Sequence, residues 1–478
     1  MRDATDSRNI PLCIDLDGTL ILTDLLWESL IALVRTKPLI LFFLPFWLLK
    51  GKAYFKRQIA KHVSINMSHL PYRQELIDHI QQESSKGREI VLATASDAVL
   101  ANAVAEHLGF FDKVLASNGE LNLSGKNKSN ELVKLYGDQG YEYAGNSKAD
   151  MEVWLHAKCA IVINSSSGFI DQVRQITEVS LRMVDKKNIV SLIWRSARPH
   201  QWVKNILVFV PLLAAHQLDD PAMIFQSLLA FASFSLCASS AYFLNDLMDL
   251  ESDRSHSKKC SRPLASGLLS IPAGIFAAVM LLAAASALAV TLPVEFQLVL
   301  LLYYLLTFLY SFTLKSRLLV DVFTLAALYT LRIFAGGVAI GVVLSQWLLA
   351  FSMFLFLSLA FIKRYAELSE LPKDGKIEIR GRDYTASDMN HLATQGVVSG
   401  YLASIILALY VNSQEVLQSY SQHEILWFLP PLFLYWISRT WMITQRGKMH
   451  HDPIVFALRD GISYVILVMF AAVVWLAI

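Results

Sequence analysis

From about His200 to the C-terminus the sequence is a succession of long apolar runs, and this limits the possible folds more than any other feature. Nine segments can be delimited, at 200–217, 221–245, 271–290, 294–313, 319–342, 345–362, 391–412, 425–442 and 460–477. A helix that crosses a bilayer needs about 20 mostly apolar residues, and several segments reach that length. The first contains Lys204 and is the least apolar. Connections after even-numbered segments hold Arg254, Lys258, Lys259, Arg262, Lys315, Arg317, Lys363, Arg364, Lys373, Lys376, Arg380, Arg382, Arg446 and Lys448. Connections after odd-numbered segments read HQLDD, LPVE, LSQ and NSQEVLQSYSQHE, with no Lys or Arg. Basic loops stay on the cytoplasmic side, so the alternation predicts an integral protein of a bacterial-type inner membrane. The N-terminal region and the polar loops 246–270 and 363–390 are then cytoplasmic, and Ile478 lies on the opposite side. Merging or splitting one span would destroy the alternation.

The first 185 or so residues read differently. Short apolar runs in IPLCIDLDGTL (10–20), EIVLATAS (89–96), YEYAGNSKAD (141–150) and AIVINS (160–165) alternate with polar stretches of helical spacing. Such alternation predicts a parallel sheet in an α/β domain. With 478 residues, at least two domains are expected, at 1–185 and 186–478. A net charge of +2 gives no basic field for nucleic acid. Cys13, Cys159, Cys237 and Cys260 are far apart, which fits reduced thiols rather than a disulfide framework or a zinc site. MRDATDSRNI has no apolar core, so no cleaved signal peptide is expected. One run, PLILFFLPFWLL at 38–49, is too short at 12 residues to span. It reads either as a buried helix of a cap or as a segment dipping into the membrane surface.

The chemistry-bearing residues form two groups. In NDLMDLESDRSHSKKCSRPLASG (245–267), Asp246, Asp249 and Asp253 are spaced three and four apart, on one helical face at the end of the second segment. Three clustered carboxylates need a cation, and hard oxygen donors suit Mg²⁺ completed by phosphate oxygens. Arg254, His256, Lys258, Lys259 and Arg262 follow, a basic set suited to phosphates. The bland alternative is a solvated loop of mixed charge. These residues resemble the NDxxDxxxD signature and RPxASG-type segment of the UbiA superfamily of intramembrane transferases. The resemblance covers 195–478 and implies that Asn245, Asp246, Asp249 and Asp253 bind Mg²⁺ and, through it, a diphosphate. The family's second motif has the form DxxxD. Here Asp321 is present but Leu325 stands four positions later, leaving Lys315, Asp321, Tyr329 and Arg332 as a mixed set. Arg332 lies deep in an apolar segment, where a charge demands a partner or a ligand; pairing with Asp321 is the structural alternative.

RPHQWVKN (198–205) and KRYAEL (363–368) resemble the decaprenyl-phosphate phosphoribosyltransferase branch of that superfamily. That resemblance implies 5-phosphoribosyl diphosphate as donor and a polyprenyl phosphate as acceptor. Arg198, Lys204, Lys363 and Arg364 would then hold phosphates, with plain cytoplasmic anchoring as the alternative for Arg198 and Lys204.

In IDLDGTL (14–20), two carboxylates two residues apart at a strand end leave a tight turn permitted by Gly18. This suits a carboxylate nucleophile with an adjacent acid/base. The motif resembles the first signature of haloacid dehalogenase-like hydrolases, with an α/β Rossmann-like fold and a helical cap expected over 22–85. The resemblance implies that Asp15 forms an aspartyl-phosphate and Asp17 protonates the leaving group. Thr94 then bonds the phosphoryl group, and Lys128 (with Lys126 competing) steadies it. Asn146 and Asp150, in GNSKAD, would complete a Mg²⁺ site together with Asp15 and Asp17. Asn146 stands where the family usually has an acid, so a docking module without turnover remains an alternative.

The expectation is therefore a nine-span all-α transferase with a fused phosphatase. It transfers phosphoribosyl to polyprenyl phosphate, and the N-terminal domain removes the 5-phosphate. Prenyl transfer from a prenyl diphosphate to an aromatic or other acceptor is the second reading. A lipid-phosphate transporter or receptor with a regulatory soluble domain is the third.

Overall fold

The computed structural model describes residues 10–163, 166–184, 188–369, 383–449 and 452–478. The loop cations Lys373, Lys376, Arg380 and Arg382, and Ser165 at the end of the last N-terminal apolar run, lie outside the described residues. The chain forms two compact units, Met1–Ala197 with Tyr242–Ala278, and Arg198–Ala241 with Val279–Ile478.

The first unit is built on six parallel strands: β1 (Leu12–Ile14), β2 (Ile90–Asp97), β3 (Lys113–Ser117), β4 (Glu142–Gly145), β5 (Cys159–Ile163) and β6 (Glu178–Met183). Their order is β3-β2-β1-β4-β5-β6. The central strands read as continuous apolar runs because helices cover both faces of a parallel sheet. Leu12, Ile14 and Leu92 enter the core on one face, while Cys13, Val91 and Ala93 enter the core on the other. The order reverses between β1 and β4, which opens a crevice at their carboxyl ends.

Between β1 and β2 come α1 (Leu25–Thr36), short helical turns over Pro38–Leu49, α2 (Lys52–His62) and α3 (Gln74–Ser85). The expected helical insertion over 22–85 is present, but α3 packs Leu76, Ile77 and Ile80 into the sheet's own core. The apolar run 38–49 is not a buried cap helix, because neither of its turns buries a single residue. The unit continues with α4 (Ala98–Leu108) and α5 (Lys126–Tyr136).

Next come α6 (Pro221–Met248), α7 (Leu250–Arg254), α8 (Ile271–Ala289), α9 (Val294–Phe312), α10 (Val320–Ala339), α11 (Gln346–Ser369), α12 (Met389–Val411), α13 (Leu429–Gln445) and α14 (Gly461–Ala477). In the second unit Val322, Ile333, Phe356, Phe361, Leu407, Ile437 and Trp441 share one core. Glycines permit the close approaches typical of helices in lipid. A Cβ at Gly336 would lie 2.0 Å from the Val208 carbonyl oxygen, and one at Gly396 would lie 2.1 Å from the Trp441 ring.

Among the described residues six helices are long and apolar enough to cross a membrane: α6, α8, α9, α10, α11 and Ala386–Val411, which contains α12. The other three expected segments are shorter helices. The first is a 3-10 stretch, Pro199–Phe209, followed by Val210–Ala214. Pro211 lacks the N–H that would continue one helix across the junction, and the stretch buries Lys204 and Asn205. α13 and α14 have 17 residues each.

Candidate active sites

The crevice of the first unit gathers the hydrolase residues. Asp15 and Asp17 leave β1 just before Gly18, whose φ of +74° only glycine adopts without strain. A Cβ there would also strike the Asn146 amide at 2.1 Å, so Gly18 and Asn146 are packed against each other. Lys128, on α5, donates to Asp15 Oδ1 at 2.7 Å and to the Tyr143 hydroxyl at 2.7 Å. Lys126 is exposed, which separates the two lysines considered from sequence. Thr19 donates its hydroxyl to Asp15 Oδ2 at 3.2 Å. Asp17 accepts from the Leu25 amide at 2.8 Å and from Ser96 Oγ at 2.6 Å. Thr94 is fully buried within β2, and its Oγ1 accepts from the Ser96 amide.

Asp150 has a different position from the other acids. Its Oδ2 accepts from the Asn146 and Ser147 amides and from Ser147 Oγ, and its Oδ1 from the Tyr143 hydroxyl. It ties the loop that presents Asn146. Burial pushes Asp15 up to about 6, against the opposing pull of Lys128. Burial, then the charges of Asp24 and Asp15, pushes Asp17 up to about 7. A hard divalent cation would relieve that cost, and Mg²⁺ is commonly held by one or two carboxylates plus waters and phosphate. Lys56, from α2, donates to the Ala95 carbonyl at 2.7 Å and to Asn122 at 3.2 Å. Desolvation lowers the Lys56 ammonium below its ordinary value while the charges of Asp17 and Asp24 oppose it.

The aspartate-rich stretch also belongs to the first unit. The backbone stays helical through the joint between α6 and α7: the Asp249 amide donates to Asn245 O and the Asp253 amide to Asp249 O. The three carboxylates therefore share one face. Arg262 Nη1 bridges two of them, 3.1 Å from Asp246 Oδ1 and 2.5 Å from Asp253 Oδ2. Burial raises the Asp253 carboxyl, with Arg262 pulling the other way. Among the described residues no three His, Cys, Asp or Glu side chains converge as a ready-made cage. An open set of this kind fits a Mg²⁺ that takes its remaining ligands from phosphate and water. His256 and Lys258 are exposed. Arg254 is committed elsewhere: it forms a fork with Glu28 at 2.6 and 3.1 Å and donates to Ala265 O at 2.9 Å. Its expected phosphate contact is thus replaced by an ion pair to α1.

The second unit holds the remaining cations. Lys204 pairs with Asp452 at 2.5 Å and lies 6.0 Å from the Tyr329 ring centre. Arg332 does not pair with Asp321. It donates to Asn205 Oδ1 at 2.8 Å, to Leu328 O and to the Tyr303 hydroxyl, and lies against the Tyr303 and Tyr329 rings. Asp321 instead accepts from the Tyr384 hydroxyl and pairs with Arg364, both at 2.5 Å. Arg364 also contacts Glu367. Lys315 sits on a short 3-10 turn, Leu314–Ser316, and Arg198 caps Pro199–Phe209 in a left-handed conformation. Lys363 is half-buried near the end of α11.

Sequence reasoning missed Tyr143, Ser96, Lys56, Glu28, Asn205, Tyr303, Tyr384 and Asp452. A signal existed only for Asp452, since Asp before Pro453 reads as a helix cap followed by proline in the first turn.

A switch-point hydrolase crevice and a bundle of membrane-length helices, joined in one chain with an acidic helical face, define a membrane transferase carrying a hydrolase-type domain. Residues 206–459 match the UbiA prenyltransferase family, and residues 12–153 match haloacid dehalogenase-like hydrolases. The chain belongs to the UbiA prenyltransferase family. The "uncharacterized protein y4nM" of Sinorhizobium fredii is 37% identical over 463 residues, covering 96% of this chain and 89% of the relative. The decaprenyl-phosphate phosphoribosyltransferase of Mycolicibacterium smegmatis is 29% identical over 286 residues, 59% of this chain and 90% of the relative. A UbiA homolog from Archaeoglobus fulgidus, solved bound to GPP and Mg²⁺, aligns with 60% of this chain and 99% of its own at 16% identity and a TM-score of 0.45.

Proposed function

We propose that this protein transfers a phosphoribosyl group from 5-phosphoribosyl diphosphate to a polyprenyl phosphate, and that its N-terminal domain removes the 5-phosphate from the product. The observation that carries the donor is the charge of the second unit. Asp321 is neutralised by Arg364 and Lys204 by Asp452, Leu325 occupies the place of a second acid, and Arg332 is buried as a cation bonded to Asn205, Leu328 and Tyr303. Such a set suits a donor bearing a phosphate beyond its diphosphate. The phosphoribosyltransferase relatives support the same donor.

In the transfer, an oxygen of the polyprenyl phosphate attacks the anomeric carbon. The bond from that carbon to diphosphate breaks, and the electron pair departs on the diphosphate. Asp246, Asp249 and Asp253 would hold Mg²⁺, which would supply charge stabilisation to the departing diphosphate. Arg262 orients Asp246 and Asp253, Asn245 belongs to the same metal and diphosphate site, and the lipid surroundings exclude water from the reactive carbon. In the hydrolase centre, Asp15 attacks the phosphorus, and the ester bond breaks as Asp17 gives its proton to the leaving oxygen. Water, deprotonated by Asp17, then releases phosphate from Asp15. Thr94 and Lys128 hold the phosphoryl oxygens, and Mg²⁺ fits Asp15, Asp17 and Asn146.

The domains divide functionally at 1–185 and 186–478, with nine membrane passes, cytoplasmic active sites and Ile478 on the far side. Purified protein given labelled phosphoribosyl diphosphate, polyprenyl phosphate and Mg²⁺ should form a lipid-linked pentose. Formation of a prenylated aromatic from a prenyl diphosphate instead would replace this reading with the second one.

A further inference from the structure

Residues 38–49 form an exposed apolar run on the first unit. Leu39 is 76% exposed, Phe42 75%, Phe46 64% and Leu49 85%. A contiguous patch of this kind is not kept in water without a partner. Its position within the unit identifies the partner. Arg35, at the end of α1, pairs with Glu251 at 2.8 Å. Glu251 lies just past Met248, where α6, a helix of membrane-crossing length, ends. The apolar run therefore starts near the end of a helix of membrane-crossing length, and it is itself too short to cross.

Its flanks carry the matching charge. Arg35 and Lys37 precede the run and Lys50 and Lys52 follow it, all exposed. Phe43 stacks on Trp47, and aromatic rings favour the headgroup level. An apolar face edged by cations is the pattern of a segment lying in an anionic membrane surface.

We infer that Pro38–Leu49 docks into the headgroup–acyl boundary of an anionic lipid bilayer and so presents the adjoining hydrolase crevice with a phosphomonoester carried on a membrane lipid. The second half of this statement rests on the hydrolase reading above. The run continues through Gly51, at φ +104°, into α2. Two residues of α2 reach the end of β2 beside Thr94: Lys56 bonds the Ala95 carbonyl, and Arg57 pairs with Asp97 at 3.0 Å. The lipid-seated turns and a wall of the crevice are thus one continuous piece of chain.

The test uses the full chain in vesicles of phosphatidylethanolamine and phosphatidylglycerol, in a Cys159→Ser, Cys260→Ser background. Spin labels are placed at Phe42→Cys, Leu49→Cys and, as a control on an exposed residue of the same unit, Leu155→Cys. Labels at 42 and 49 should collide with oxygen and be shielded from an aqueous nickel chelate, with the reverse at 155. Equal nickel access at all three positions overturns the docking. A variant with Leu39→Ser, Phe42→Ser, Phe46→Ser and Leu49→Ser should keep its rate on a soluble phosphomonoester. On a polyprenyl-linked one in vesicles its rate should fall by about tenfold or more, because membrane residence scales with apolar contact. Equal rates on both substrates, relative to the unaltered chain, overturn the substrate assignment. No hydrolysis of either by the unaltered chain would remove the hydrolase reading and leave the docking result standing.

Discussion

Two carboxylates in one buried crevice cannot both stay charged without a cation, and the residues around them decide which one holds a proton. Asp15 has Lys128 at 2.7 Å, whereas Asp17 is held by an amide and a hydroxyl. Asp17→Asn is therefore expected to slow hydrolysis of a soluble phosphomonoester by roughly 10²–10⁴-fold, the usual worth of a positioned acid/base. Asp15→Asn removes the nucleophile and should cost more than that. The pH dependence follows from the raised values of about 6 and about 7. Both lie above the ordinary carboxylate value near 4. Between about pH 4 and 7 the folded chain in chelator binds more protons than the unfolded one, so its stability falls as pH rises through that window. Mg²⁺ competes with those protons. Its thermal stabilisation should be larger at about pH 8 than at about pH 5, and equal shifts at both would count against carboxylate ligation.

At the scale of elements, α1 acts as a strut along the first unit. The Leu25 amide at its start holds Asp17, Glu28 one turn on forks Arg254, and Arg35 at its end pairs with Glu251. Glu28 and Arg254 are almost fully buried, so Glu28→Gln leaves a guanidinium without its counter-charge. The expected cost is ~3–5 kcal/mol, read as lost thermal stability in detergent, and Glu28→Leu with Arg254→Met should cost less than the two single changes added. In the bundle, Gly336→Ala pushes a methyl against the Val208 carbonyl, which is backbone and cannot rotate away. It should destabilise by about 3 kcal/mol and reduce the folded fraction on size exclusion. None of these contacts was readable from periodicity, because Glu28 and Arg254 are 226 residues apart and Lys204 and Asp452 are 248 apart. What could be read was local: a DxDGT turn, the three- and four-residue spacing of Asp246, Asp249 and Asp253, and the apolar runs. Composition at 200–217 likewise did not reveal that this segment forms a 3-10 stretch burying Lys204 and Asn205 and then a short helix. It also left 38–49 undecided, since an apolar run has the same composition whether it faces a core or a lipid.

At the scale of the whole molecule, the two chemistries are ordered by what each leaves behind. In the proposed transfer the diphosphate leaves and the 5-phosphate stays on the sugar, so the lipid product still carries a phosphomonoester. That is the bond class an aspartyl-phosphate hydrolase cleaves, and a hydrolase acting on the donor first would remove the phosphate before transfer. The proposed order therefore has a distinct mutational signature. Asp249→Ala should abolish lipid-linked pentose while hydrolysis of a soluble phosphomonoester continues, because Asp15, Asp17 and Lys128 keep their own hydrogen bonds within the crevice. Asp15→Asn should leave transfer running and accumulate lipid-linked 5-phosphoribose, heavier than the normal product by one phosphoryl group in lipid mass spectra. If Asp15→Asn instead produced only the dephosphorylated lipid, the hydrolase centre would have no place in the sequence. If it stopped transfer altogether while Mg²⁺ binding at the aspartate helix persisted, the order would be reversed and hydrolysis would have to come first.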